Sequence, residues 1–304
     1  MLDIAIMLEG QNGLTWPRWQ KIARLVEDAG FIGLYRSDHF TNANPPDKES
    51  LELWVSLTWL AANTTRIEFG PLVSPFSFRH PALTARMAAA VDDLSGGRLT
   101  LGLGAGWQER EHNLFGFDLM KPVERFNRFE EGLQVVTRLL KSEVPVSFEG
   151  KYFQLREALL LPRPQRANGP RILIGGIGSK RTLPLAARYA DEWNCIFLTS
   201  QTFFTLNARL DDLLKIEGRD PKSVRRSMMT GCTFGKSDAA LQQKLESRGK
   251  RFDQLRGNGV IVGTPNQVKE QLRELEQFGV QRVMLQWLDL DDLDGLEALA
   301  KSVL

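Results

Sequence analysis

The residues best equipped for chemistry fall in a few short runs. His39 stands beside Asp38 in the run Arg36-Ser37-Asp38-His39-Phe40, and it is one of three histidines, with His80 and His112. An imidazole next to a carboxylate can donate a hydrogen bond or shuttle a proton near neutral pH; a helix cap or a surface position is the plain alternative. His80, in Arg79-His80-Pro81, has the setting of a helix start, which favours capping. A second run, Gly175-Gly176-Ile177-Gly178-Ser179-Lys180-Arg181, places closely spaced glycines between an apolar stretch and a helical one. That arrangement lets backbone N–H groups and a helix N-terminus meet a phosphate, with Ser179 adding a hydroxyl and Lys180 or Arg181 a charge. It lacks the closing Gly-Lys-Ser/Thr of a P-loop and the full dinucleotide fingerprint. Gly102, Gly104 and Gly106 alternate just before Trp107, where a barrel interior or a flat ring must come close. No zinc spacing, nucleophile elbow or paired-histidine motif is present, so no metal is expected. A bound organic cofactor is expected to carry the chemistry.

Strand-like and helix-like segments alternate from one end to the other. LDIAIML reads as a buried strand, and WQKIARLVEDAG has the three-to-four apolar spacing of a helix closing at Gly30. FIGLYRS, TRIEFGPLV, RLTLGLG, RILIGG, EWNCIFL, RSMMTGCTFG and VQRVMLQW are the further strands, each followed by a helical pattern. Thr264-Pro265 has the form of a helix start, with Thr264 at the N-cap and proline at the first helical position. SFEGKYFQL reads as a hairpin turning at Glu149-Gly150. Eight units in parallel predict an α/β fold, a (β/α)8 TIM barrel with insertions. The chain is expected to be a single barrel domain over 1–304. A hairpin and loop insertion is expected at 142–170, and a polar insertion before the seventh helix at 237–259. A doubly wound open sheet with a second domain is the rival, and no linker rich in proline, serine or charge divides the chain to support it. In a barrel the functional groups sit at the C-terminal strand ends, which is where these runs fall.

Composition narrows the class. The 304 residues are 42% hydrophobic and 25% charged, with a net charge of +2. That balance gives no electrostatic reason for a nucleic-acid or membrane surface. No stretch approaches the ~20 uninterrupted apolar residues a membrane helix needs. The opening MLDIAIMLEG has neither a basic n-region nor a cleavage site. Cys195 and Cys232 form no framework and read as small buried residues, which suits a reducing cytoplasm.

The runs AGFIGLYRSDHF, TRIEFGPLVSPFSFRHPA, LSGGRLTLGLGAGWQEREHNLFGF, FEGKYFQL and PRILIGGIGSKRTLPLAARYADEW, in this order and spacing, resemble the bacterial luciferase-like flavin- and deazaflavin-dependent oxidoreductases. The resemblance covers nearly the whole chain and implies the same barrel. It implies that Asp38 and His39 contact the cofactor ring, with His39 the candidate for catalytic proton transfer. Gly70 to Ser74 would form a bulge behind the ring, with Leu72 and Val73 joined by a non-prolyl cis peptide and Gly106 nearby. Gly175, Gly176, Gly178 and Ser179 would hold the cofactor phosphate. Trp107 stands where deazaflavin-dependent sugar-phosphate dehydrogenases of the family carry an acid, so oxidation of a sugar phosphate is not expected. Trp107 and Glu109 are expected on the substrate side, with Glu111 close by, although both glutamates also suit a helix N-terminus. The SDHF and GPLV forms resemble the coenzyme F420 branch more than the alkanesulfonate monooxygenase branch. The expected activity is hydride transfer between F420 and a small organic substrate. The alternative is an FMN-dependent two-component monooxygenase that uses O2 and a separate reductase. A third possibility is a catalytically silent cofactor- or sugar-binding barrel. The family also implies a homodimer. The loop after strand four and the 237–259 segment are expected to shape the substrate side.

Overall fold

The structure, a computed structural model, describes residues 2–304. Strand β1 (Asp3–Leu8) sends Ile4, Ile6 and Leu8 into the core under the helices, and Ala5 and Met7 into the barrel interior. This is the two-sided burial of a parallel strand covered on both faces. Helix α1 (Trp16–Ala29) carries Pro17 in its first turn and stops at Gly30, whose φ of 96° only glycine adopts readily. There follow β2 (Gly33–Arg36), α2 (Leu53–Asn63), β3 (Glu68–Pro71), β4 (Ser74–Pro75), α3 (Pro81–Leu94) and β5 (Thr100–Gly104). His80 is the N-cap of α3, its Nδ1 accepting from Ala82 N at 3.2 Å, as its setting predicts.

Helices α4 (Glu109–Phe115) and α5 (Pro122–Lys141) come next, then the hairpin of β6 (Val146–Glu149) and β7 (Gln154–Ala158). The Glu131 carboxylate of α5 pins the hairpin turn by accepting from the backbone N–H groups of Lys151, Tyr152 and Phe153. The alternation resumes with β8 (Arg171–Gly175), α6 (Thr182–Tyr189), β9 (Glu192–Ile196), α7 (Ser200–Ile216) and β10 (Arg225–Phe234). Sequence reading treats 237–259 as a polar interruption. In the structure it folds as α8 (Asp238–Ser247) and α9 (Phe252–Gly257), with Leu241 and Leu245 buried against Val262. A short strand, β11 (Ile261–Gly263), then extends the sheet beside β10. Helix α10 (Pro265–Gln277) has Thr264 at its N-cap in a full capping box with Gln267. β12 (Arg282–Gln286) and α11 (Leu293–Val303) complete the chain.

All barrel strands run parallel in the order β3-β2-β1-β12-β10-β9-β8-β5-β4. Because β3 and β4 are two parts of one pass of the chain, the ends of that list meet and the sheet closes; Phe69 N also donates to Arg98 O across the seam. The eight predicted strands are thus present, one of them broken in two. Inside, Ala5, Met7, Tyr35, Leu72, Leu173, Met229 and Met284 fill the middle of the barrel. The N-terminal end is plugged by Arg282, fully buried, whose guanidinium reaches Glu68 at 2.6 Å, Glu192 at 3.1 Å and Tyr35 Oη at 2.8 Å. Among the described residues no helix is long and apolar enough to cross a membrane, and no cluster could hold a metal ion.

Candidate active site

At the opposite, C-terminal end of the barrel lies a cavity of about 530 Å³. Asp38 and His39 from the end of β2, Leu72 and Val73 between β3 and β4, and Gly106 and Trp107 after β5 all line it. So do Gly175, Gly176 and Gly178 after β8. The predicted groups therefore come together from four separate strand ends. Two stand apart: Ser179 and Glu109 are exposed and lie outside the lining. No residue of 237–259 lines it either; that segment reaches the site only at second hand, where Gly259 packs against Phe197 and Leu198 behind the wall.

The floor is built from the break between β3 and β4. Leu72 and Val73 are joined by a cis peptide, as the resemblance implied. Leu72 turns into the barrel core and Val73 packs beside it. A Cβ on Gly104 would lie 2.5 Å from Val73 Cγ2, and one on Gly175 would lie 3.0 Å from Val73 Cγ1. A Cβ on Gly102 would lie 2.0 Å from Pro71 O. The alternating glycines of β5 are thus required by the β3–β4 pass itself. The result is a low apolar ledge with no side chain rising from β5 or β8, a surface that suits a planar ring.

One wall carries the ionisable groups. Asp38 Oδ2 accepts from Ser74 Oγ at 2.8 Å and from Arg79 NH1, and Arg79 also reaches Glu52 at 2.6 Å. Asp38 therefore ties the loop after β2 to β4 and the start of α3. His39 Nδ1 lies 2.8 Å from Glu111 Oε1, and Glu111 Oε2 accepts from Phe40 N at 2.9 Å. Burial pulls the His39 pKa down, but the hydrogen bond and charge of Glu111, with Glu9 and Asp38 behind it, hold it above the ordinary histidine value. Among the described residues Nε2 makes no hydrogen bond, and it is not sealed from solvent. Trp107, 61% exposed, stands edge-on to the His39 ring at 5.7 Å. Glu9 is held by Gln11 Nε2 at 2.8 Å and Gln286 Nε2 at 2.6 Å.

The other end of the cavity is the glycine turn. Trp193 Nε1 donates to Gly176 O at 2.8 Å, and Gly176 N to Asn194 O at 2.9 Å, so the turn is fixed from behind. Lys180 and Arg181 do not reach the cavity, and Arg181 is bound to Asn127. Among the described residues the lone lysine or arginine in the lining is Arg125, from the first turns of α5. Its Nε is buried without a hydrogen-bond partner, and the residue forms no ion pair among the described residues. An unpaired buried donor lining a cavity with an apolar ledge matches a ring that carries an anionic tail.

The model of a protein family described as luciferase-like monooxygenase matches residues 4–256. The chain belongs to the luciferase-like monooxygenase family. This is a family of oxidoreductases with both F420-dependent and flavin-dependent members. A 4-hydroxyprotoasukamycin monooxygenase of Streptomyces nodosus subsp. asukaensis is 32% identical over 58% of this chain and 46% of its own length. An F420-dependent glucose-6-phosphate dehydrogenase of Kineococcus radiotolerans is 29% identical over 73% of this chain and 64% of its own length. The match thus spans between about half and two thirds of these curated relatives. An F420-dependent secondary alcohol dehydrogenase, solved with an F420-acetone adduct, superposes with a TM-score of 0.87 at 18% identity over 100% of this chain and 99% of that one. That likeness carries the fold.

Sequence reading missed Arg125 and left Glu111 as one of two nearby acids. Glu111 sits three positions after Gln108, whose Nε2 donates to Thr41 O at 2.9 Å and fixes the start of α4 beneath the His39 loop. The presence of a helix at 109–115, short and polar, gives no periodic signal strong enough to orient it. Arg125 lies in a long amphipathic helix, where one arginine among several has no mark in the sequence.

Proposed function

We propose that this luciferase-like enzyme transfers hydride between coenzyme F420 and a small organic alcohol or ketone, with His39 as the proton-carrying group. Hydride donation or acceptance is the chemistry a bound deazaflavin supplies. Val73, Gly104 and Gly175 provide the ledge for its ring, and Arg125 with the Gly176–Gly178 turn receives its phosphate. The observation that carries the reading is the accessible Nε2 of His39 on the cavity wall, backed through Nδ1 by a buried carboxylate. In alcohol oxidation a bound deazaflavin would take up the hydride, and His39 Nε2 would accept the hydroxyl proton as the ketone forms. In reduction the same proton returns to the carbonyl oxygen as hydride arrives. The 33% identity of a phthiodiolone/phenolphthiodiolone dimycocerosates ketoreductase of Mycobacterium tuberculosis, over 67% of this chain and 53% of its own length, supports carbonyl chemistry.

The test is a titration with oxidised F420 and, separately, with FMN, read by quenching of the protein's tryptophan emission. Low-micromolar F420 binding is expected, followed by anaerobic bleaching of the deazaflavin on adding secondary alcohols. Tight FMN binding with no response to F420, and turnover only with O2 and a reductase, would replace this reading with two-component oxygenation. Binding of neither would point to the silent barrel.

A further inference from the structure

We propose that Glu111 is the positioning residue for His39: it keeps the proton on Nδ1, aims Nε2 into the cavity and stabilises the ring when Nε2 becomes protonated. The inference rests on the reading of His39 given above and concerns how this chain makes that histidine competent.

The geometry is two-pronged. Glu111 is 1% exposed, and its oxygens have different partners, His39 Nδ1 at 2.8 Å and Phe40 N at 2.9 Å. A carboxylate only accepts, so Nδ1 must be the donor and the neutral ring must carry its lone pair on Nε2. The second prong holds the backbone next to the ring, so the carboxylate cannot rotate without breaking both bonds and stays aimed at Nδ1. Three more contacts tie the same two segments together. Gln108 Nε2 donates to Thr41 O at 2.9 Å, Arg110 NH1 donates to Asn42 O at 2.9 Å, and Arg110 pairs with Asp47 at 2.6 Å. From the remaining directions the ring meets Trp107 edge-on, and Ser50 Oγ donates to His39 O at 2.7 Å. The charged groups that act on it from neighbouring elements are Glu9 just after β1 and Asp38 with its partner Arg79, while Arg125 lines the same cavity. Glu9 is engaged by two glutamine amides and Asp38 by Arg79 and Ser74, which leaves Glu111 as the carboxylate in direct contact. The arrangement has the logic of a carboxylate–histidine pair: a buried acid fixes tautomer and orientation without itself moving a proton.

The experiment is long-range proton–nitrogen correlation NMR on protein carrying nitrogen-15 histidine, with no cofactor present. Only three histidines need assignment, and His39→Ala identifies the signal. Wild-type protein is expected to show the Nδ1–H tautomer at high pH. Glu111→Gln is expected to lower the His39 titration midpoint by about one pH unit or more, and the midpoint of the turnover profile is expected to move by the same amount while cofactor affinity holds. An Nε2–H tautomer in the wild type, or equal midpoints in wild type and Glu111→Gln, would overturn the assignment. The wild-type tautomer needs no variant, so a misfolded Glu111→Gln leaves the test intact. Should the NMR midpoints shift while His39→Ala turns over normally, Glu111 keeps its assignment and the catalytic reading of His39 falls.

Discussion

At the scale of single residues the proposed site divides into one group to exchange protons, His39, and one to meet charge, Arg125. Oxidation of an alcohol requires unprotonated Nε2, so its rate is expected to fall as pH drops through the raised His39 pKa; ketone reduction is expected to fall as pH rises through it. His39→Ala should lower turnover by roughly a hundredfold or more with little loss of cofactor affinity, measured by steady-state rates beside equilibrium titration. The same raised pKa links to stability. The contribution of the His39–Glu111 pair is complete below the ordinary histidine pKa of 6.5 and is lost as pH rises through the higher folded value. Urea melts of His39→Asn should therefore show a larger deficit at about pH 5.5 than at about pH 9. Arg125→Ala should weaken cofactor binding by roughly tenfold to a hundredfold, the value of a charge-assisted bond. A phosphate-free deazaflavin should bind wild type and variant alike; a loss there too would show that Arg125 shapes the ledge instead. His39 was legible from the sequence because a strand end marks it. Arg125 was not, since only the approach of α5 to the barrel mouth distinguishes it from Arg128 or Arg138.

Among elements, the broken pass of β3 and β4 does most to make a site. It lowers the wall at one point and fills the space over β5 and β8 with a single valine. Gly104→Ala would push a methyl into Val73 Cγ2 and is expected to cost about 1–3 kcal/mol of stability by overpacking. Gly175→Ala, with a looser 3.0 Å approach, should cost less; both are read from denaturant midpoints, and equal costs would contradict the packing described. Thr264→Ala, far from the cavity, should lose about 1 kcal/mol through the capping box alone and leave cofactor binding untouched. Strands and long helices were legible because their apolar periods are strong, and the starts of α3, α5 and α10 each carry a proline in the first turn. The two helices within 237–259 were hidden because they bury little more than Leu241 and Leu245 on one face, so charge dominates their sequence. Gly259, just after them, packs against Phe197 and Leu198, a contact no local pattern can reveal.

For the molecule as a whole, the two ends of the barrel do opposite work. One end is closed by a buried arginine among acids, while the other is left open, with an apolar ledge beside a wall of ionisable groups. Arg282→Ala would strand the carboxylates of Glu68 and Glu192, and is expected to cost about 3–5 kcal/mol in a chemical melt; Arg282→Met, which fills the space, should cost less only if both acids can protonate. Burial already holds Glu192 above the ordinary carboxylate range, which eases that step. The barrel itself was readable from eight alternations in the sequence, whereas the plug was not, because Arg282 and its partners come from four strands whose register no local spacing reveals. The proposed homodimer is checked by light scattering on the purified chain, where a monomer's mass would remove it. Both native thiols, Cys195 and Cys232, are buried, with their acidities suppressed by burial. A sulfhydryl introduced at Ile177, exposed on the rim of the cavity, would therefore be the one site open to maleimide. A fluorophore could be attached there in the natural background, giving a reporter of occupancy that works for any candidate substrate, coloured or not.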